Sequence, residues 1–137
     1  MDYTTFDKAA YAAFKANDRA GPVHMFNLIK LRDMALYEDG RQATGAQAYA
    51  AYARESAETF AKLGGKIIWR GQMEQMLIGP QERWDMCFIA AYPSVEAFAS
   101  MHKYPAYRAA VAHRQAAVAD SRLIRMAPLE LGGNFGE

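Results

Sequence analysis

Residues 64–92 read GGKIIWRGQMEQMLIGPQERWDMCFIAAY, and this stretch decides the fold. Its glycine pair is typical of a helix end, and residues 66–79 are then predicted to form a strand, with Gly71 at a bend or bulge. A turn signature at residues 79–82 reverses the chain into a second apolar run over 84–92. We therefore predict two consecutive antiparallel strands near the middle of the chain.

Helix signals stand on both sides of these strands. Upstream, Thr44 and Gln47 have the spacing of a capping box, and apolar residues recur at helical spacing from Ala46 to Ala61. Downstream, Ser94 is placed to cap a helix that Pro105 divides into a short piece and a longer one reaching Ala119. Each predicted strand of the central pair therefore has a helix beside it.

Outer strands are predicted at residues 22–31 and 121–127, and an additional helix at residues 4–17 with Thr4 as its cap. The resulting order of strand, helix, strand, strand, helix, strand is the ferredoxin-like βαββαβ arrangement, an α+β fold with a four-stranded antiparallel sheet. We expect one domain over residues 1–137, made of an N-terminal helical extension (1–20), a core (22–128) and a tail (129–137).

Composition narrows the classes of partner. The 137 residues fit one domain, and a formal net charge of +1 with 23% charged residues gives no field that would draw the chain to nucleic acid or anionic membranes. No apolar stretch approaches the roughly 20 residues that cross a bilayer, and no secretory leader is recognised. The lone Cys87 lies in an apolar run, as expected of an inert thiol. We expect a cytoplasmic protein.

Both faces of the predicted sheet are apolar. In the third strand one face carries Met86, Phe88 and Ala90, while the opposite face carries Cys87 and Ile89. In this fold both helices cover the same face, so the other face needs a cover of its own. We predict a homodimer formed through that sheet face. The alternative is that the N-terminal helix or the tail covers it.

Arg114 interrupts the apolar stripe of the helix after Pro105, where Tyr107, Ala110, Val111 and Val118 precede and follow it. A guanidinium in such a place requires partners. One interpretation is structural, with a carboxylate or main-chain carbonyls at a strand end. The other is functional, with an anionic or carbonyl-bearing ligand held by the planar fork.

Four further residues are candidates for the same pocket. Asn27 interrupts an apolar strand face, and Tyr49, Tyr52 and Trp84 could enclose a flat, largely apolar ligand, although side chains of these types also occur in ordinary cores. Signatures of a nucleotide loop, a nucleophile elbow or a metal site are missing, so we expect no metal and assign no catalytic residue.

Motifs at residues 64–71, 92–97 and 104–108, together with Arg114, resemble the domain-of-unknown-function family numbered 1330, within the dimeric α/β barrel superfamily. The resemblance runs from about residue 22 to residue 128, and it implies a ferredoxin-like subunit that dimerises sheet to sheet. Two departures are a longer segment at 33–45 and the additional N-terminal helix. Both affect the expected entrance of the pocket.

Relatives in that superfamily, as the resemblance implies, include cofactor-independent monooxygenases acting on aromatic polyketides, small isomerases and haem-dependent enzymes. Haem binding there generally uses an axial histidine, and nothing in the sequence marks His24, His102 or His113 for that role, so no cofactor is expected. Two hypotheses follow: a cofactor-independent enzyme acting on a small aromatic or carbonyl compound, or a non-catalytic metabolite-binding or regulatory dimer.

Overall fold

The computed structural model describes residues 2–136. Four α-helices, one short 3-10 helix and four strands follow one another along this part of the chain. In chain order they are α1 (Lys8–Ala16), β1 (Val23–Leu31), α2 (Gly45–Lys62), β2 (Lys66–Gly71), β3 (Met86–Tyr92), α3 (Val95–Ser100), the 3-10 helix (Met101–Lys103), α4 (Pro105–Ala117) and β4 (Val118–Met126).

The strands form one antiparallel sheet in the order β2-β3-β1-β4. The two central strands, β1 and β3, come from different βαβ halves, which is the ferredoxin-like topology. Asn27 of β1 pairs with Phe88 of β3 on one side and with Leu123 of β4 on the other. The predicted fold class is therefore confirmed.

Helix boundaries follow the predicted local signals. The Thr44 side chain accepts a hydrogen bond from the Gln47 main chain, and the Gln47 side chain accepts one from the Thr44 amide, which completes the capping box. Ser94 caps α3, and Pro105 is the first residue of α4. Gly64, with a φ of 80°, ends α2 in the left-handed conformation that glycine favours.

Three predicted boundaries are corrected. Helix α1 begins at Lys8 and is capped by Asp7 rather than Thr4. Strand β2 ends at Gly71 instead of residue 79, because its partner β3 begins at Met86 and residues 72–85 have no strand to pair with. Strand β4 begins at Val118, three residues before the predicted start at residue 121, and α4 therefore ends earlier than expected.

Helices α1, α2 and α4 all lie on one face of the sheet, which we call the inner face. Helix α1 is on this side because Phe14 packs its ring 5.1 Å from that of Phe98, and its carbonyl accepts a hydrogen bond from Arg125 of β4. The alternative that the N-terminal helix covers the opposite, outer face is therefore wrong. Residues 127–136 are largely exposed and leave the outer face uncovered as well.

No helix in residues 2–136 is both long enough and apolar enough to cross a membrane.

Candidate functional site

A cavity of about 1210 Å³ lies between the inner face of the sheet and the helices. The sheet contributes side chains from all four strands, and α2 and α4 form the opposite wall. Residues 3–17, which include α1, close a third side and are called the N-terminal strap below. No residue of α1 is buried, so the strap rests on the cavity without being part of the core.

Arg114 lies in the cavity wall, where it is partly buried. Its Nη1 donates a 2.8 Å hydrogen bond to the carbonyl oxygen of Thr4 in the strap. Within the described residues no carboxylate lies within ion-pair distance of this guanidinium. Arg114 therefore does donate to a main-chain carbonyl, as the structural interpretation predicted. That carbonyl belongs to the strap, however, and not to a strand end. The remaining N–H groups of Arg114 have no acceptor among the described residues.

Tyrosine side chains form the wall beside Arg114. The hydroxyls of Tyr52 and Tyr107 lie 2.9 Å apart, and the rings of Tyr49 and Tyr52 meet edge to face at 5.4 Å. Burial is the main reason that the pKa values of Tyr49, Tyr92 and Tyr107 are raised well above the ordinary value. Near neutral pH these phenols are protonated, as tyrosines ordinarily are, and are able to donate hydrogen bonds.

The structure brings together four of the five residues proposed from the sequence. Arg114, Asn27, Tyr49 and Tyr52 line the cavity. The Asn27 side-chain amide donates to the Met25 carbonyl of its own strand at 3.0 Å, which leaves its carbonyl oxygen free of any described partner.

Trp84 does not belong to this group. It is buried just before β3, outside the cavity lining, and the guanidinium of Arg122 lies 5.1 Å from its ring centre. Its main-chain amide donates to the sulfur of Met73. The residue therefore lies outside the predicted pocket and contacts the loop before β3.

Tyr107 and His102 also line this wall, and neither was predicted from the sequence. Tyr107 was counted as part of an apolar helical stripe, although a buried hydroxyl requires a partner and could have indicated the pair with Tyr52. The imidazole of His102 packs against Phe6, Tyr11 and Tyr107. Its Nε2 is buried without a hydrogen-bond partner, and burial lowers the pKa of the ring.

A second polar cluster lies outside the cavity lining. His113 of α4 contacts the Tyr37 hydroxyl through Nδ1 at 2.7 Å and the Glu55 carboxylate through Nε2 at 2.9 Å. These contacts join the segment between β1 and α2 to both long helices. Among residues 2–136 no group of three or more His, Cys, Asp or Glu side chains has an arrangement suited to a metal ion.

Comparison with known proteins identifies uncharacterised relatives. The family described as "Domain of unknown function (DUF1330)" matches residues 40–127. A crystal structure of the protein of unknown function RPA0582 from Rhodopseudomonas palustris is 56% identical, with a TM-score of 0.92, covering 96% of this chain and 100% of that chain. A structure of methylated RPA0582 is 58% identical, with a TM-score of 0.94 over 96% of this chain and 98% of that chain.

A more distant neighbour shows the fold alone. An uncharacterised NIPSNAP-like domain protein from Burkholderia xenovorans is 16% identical, with a TM-score of 0.52, and covers 85% of this chain and 92% of that chain. No curated protein matches the chain.

Proposed function

Because the chain belongs to the DUF1330 family, which carries no assigned activity, we propose its function from the site itself: it binds a small aromatic or carbonyl-bearing compound in the cavity between sheet and helices. The observation that carries this proposal is the cavity of about 1210 Å³ with Arg114 in its wall. Ligand cavities of about 300–1,000 Å³ with apolar walls and a few directional polar groups are typical of small-molecule sites. This cavity is of that kind and somewhat larger.

Side-chain chemistry supports binding more directly than turnover. Tyr49 and Tyr107 carry protonated phenols at neutral pH, as tyrosines ordinarily do, and burial raises their pKa further, so neither is a proton acceptor there. The imidazole of His102 is enclosed by aromatic rings, and its Nε2 is buried without a hydrogen-bond partner. Between the two hypotheses from the sequence, the non-catalytic binding protein therefore has the better support, and a cofactor-independent enzyme is the second candidate.

Binding is tested by a thermal-shift screen with small aromatic acids, quinones and β-keto compounds. We expect at least one class to raise the melting temperature of the wild type and of Arg54→Ala, whose side chain is exposed on α2 away from the cavity. The same compound should leave Arg114→Ala unshifted. A screen without any stabilising compound, or equal shifts in both variants, would overturn the assignment. Product analysis of incubated mixtures by mass spectrometry then tests turnover.

We further propose that the protein is a homodimer formed through the outer face. Register places Phe26, Ile89 and Ile124 side by side on this face, with Trp69 next to Ile89. Trp69 and Ile124 are 48% and 47% exposed, although each belongs to a class of side chain that gains from burial. A second copy presenting the same face would cover them with two-fold symmetry.

Light scattering coupled to gel filtration tests the dimer. We expect a mass of twice 15.3 kDa for the wild type and a shift to the monomer in Ile124→Glu. Leu36→Glu is the matched control, because Leu36 is exposed on the helical side of the molecule and should leave the mass unchanged. A monomeric wild type would contradict the proposal.

We also propose a cytoplasmic location, as expected from the sequence.

A further inference from the structure

We propose that the ligand of the cavity is an organic anion, namely a small carboxylic acid with an aromatic or other apolar body, whose carboxylate is bound by Arg114. This inference rests on the proposed binding function and adds the charge class of the ligand. It follows from the balance of charges in the cavity wall and from the partners that each charged side chain has.

The charged side chains of the wall are mostly cationic. Four arginines line the cavity, at positions 70, 114, 122 and 125, and Asp7 is the one carboxylate among the described lining residues. Asp7 is exposed and accepts a 2.9 Å hydrogen bond from the Ala10 amide as the cap of α1. The wall therefore carries an excess of positive charge that a neutral ligand would not balance.

Two of the arginines already have partners. Arg122 forms a 2.8 Å ion pair with Asp120, and Arg125 donates to the carbonyls of Phe14 and Asn17 at 3.1 and 2.8 Å. Both guanidinium groups therefore hold the strap or their own strand. Arg125 uses both of its terminal nitrogens in these bonds, whereas Arg114 uses one, so Arg70 and Arg114 have more donors free for an anion.

Arg114 is the better placed of that pair. Arg70 is exposed on the edge strand β2, whereas Arg114 is partly buried beside the tyrosines. A guanidinium has five N–H donors, and Arg114 has one described acceptor, the neutral Thr4 carbonyl. A charge that is partly removed from water gains most from a hydrogen-bonded opposite charge.

A carboxylate fits better than a phosphate group. The planar fork of an arginine matches a carboxylate or a phosphate through two parallel hydrogen bonds. Phosphate sites typically add several main-chain amides at a glycine-rich turn, however, and none of the described residues of this wall is a glycine. The neutral Tyr49 phenol is an additional donor at the same wall. Around these groups Met25, Phe88 and Val111 present the apolar surface that an aromatic or aliphatic body would bury.

The test compares acids with their neutral amides by isothermal titration calorimetry on the full chain. Suitable pairs are benzoate and benzamide, 2-naphthoate and 2-naphthamide, and octanoate and octanamide, since the members of each pair have similar shape. We expect at least one acid to bind about tenfold tighter than its amide or more, and added salt to weaken its binding. This comparison uses the wild type and requires no variant to fold.

Variants then test whether Arg114 causes the preference for the acid over its amide. Arg114→Met, which keeps the length of the side chain, should abolish the difference between acid and amide, while Arg70→Met should retain it. Equal binding of acid and amide by the wild type, or an undiminished preference in Arg114→Met, would overturn the inference and leave small-molecule binding intact. If no acid binds while a neutral compound does, the assignment of an anionic ligand is wrong and the proposed binding of a small molecule in the cavity is supported. If no compound of either kind binds, the proposed function fails as well.

Discussion

The Nε2 atom of His113 lies 2.9 Å from a carboxylate oxygen of Glu55, which ties helix α4 to helix α2. The other ring nitrogen is 2.7 Å from the hydroxyl of Tyr37, in the segment between β1 and α2. Both contacts are satisfied when Nε2 donates to Glu55 and Nδ1 accepts from Tyr37. The imidazole therefore connects two helices and one loop.

Removal of the Tyr37 hydroxyl should measure this connection. We expect Tyr37→Phe to lower the free energy of unfolding by about 0.5–1.5 kcal/mol, since one hydrogen bond to a partly buried ring nitrogen is lost. In a His113→Ala background the same change should have almost no effect. Urea denaturation of the four proteins of this double-mutant cycle checks the coupling, and additive losses would contradict it.

Gly45 at the start of α2 should not tolerate a side chain. A Cβ atom built at this position overlaps the main-chain carbonyl oxygen of Arg32, and neither group has a flexible end that could move aside. We expect Gly45→Ala to lower the free energy of unfolding by about 1–3 kcal/mol. Gly133→Ala is the matched control, because nothing lies within 4 Å of a Cβ there. Equal stability of the two variants would contradict the close approach.

Alkaline pH should destabilise the protein through its buried phenols. The pKa of Tyr107 is raised by burial above the ordinary value of 10.0, so above pH 10 the unfolded chain loses a proton that the folded chain keeps. Stability from this group is therefore complete below pH 10 and decreases as the pH rises further. Thermal melts across this range should show a smaller decrease in Tyr107→Phe than in the wild type, and parallel curves would argue against a buried phenol.

Acidic pH should destabilise the protein through His102. Burial lowers the pKa of this ring below its ordinary value of 6.5, so as the pH falls through 6.5 the unfolded chain binds a proton first. The free energy of unfolding should then decrease until the pH passes below the lowered pKa of the folded state, and remain unaffected well above 6.5. We expect His102→Gln to flatten this part of the pH profile in melting experiments. An unchanged slope would show that the ring is not protected from protonation.

Local signals in the sequence predicted most of the fold. The capping box at Thr44, the cap at Ser94 and the break at Pro105 depend on residues within a few positions of one another, and all three are present. The end of β2 was misplaced because it depends on a partner strand. Met76, Leu77 and Ile78 are compatible with a strand, so residues 72–79 were predicted to continue β2, but β3 offers them no partner.

The candidate site could be predicted only in part for a similar reason. Helical periodicity was sufficient to single out Arg114, and strand periodicity to single out Asn27, because each departs from a regular apolar pattern. The acceptor that Arg114 uses, the Thr4 carbonyl, is 110 positions away in the sequence and lies in a segment predicted as helix. A main-chain acceptor of this kind has no signature in residue type. Trp84 was misassigned because an aromatic residue next to a strand has the same signature whether it lines a cavity or anchors a loop.

The N-terminal strap has a consequence for how such proteins diverge. Its main-chain carbonyls accept hydrogen bonds from Arg114, Arg125 and Ser121, and its aromatic rings pack against Phe98 and His102. The carbonyl contacts do not depend on which side chains the strap carries. Substitutions at the lining positions without an aromatic ring, such as residues 10 and 13, can therefore accumulate with little cost to the sheet and its helices, while they reshape one wall of the cavity. Selection for a new ligand would have an easy route through these residues.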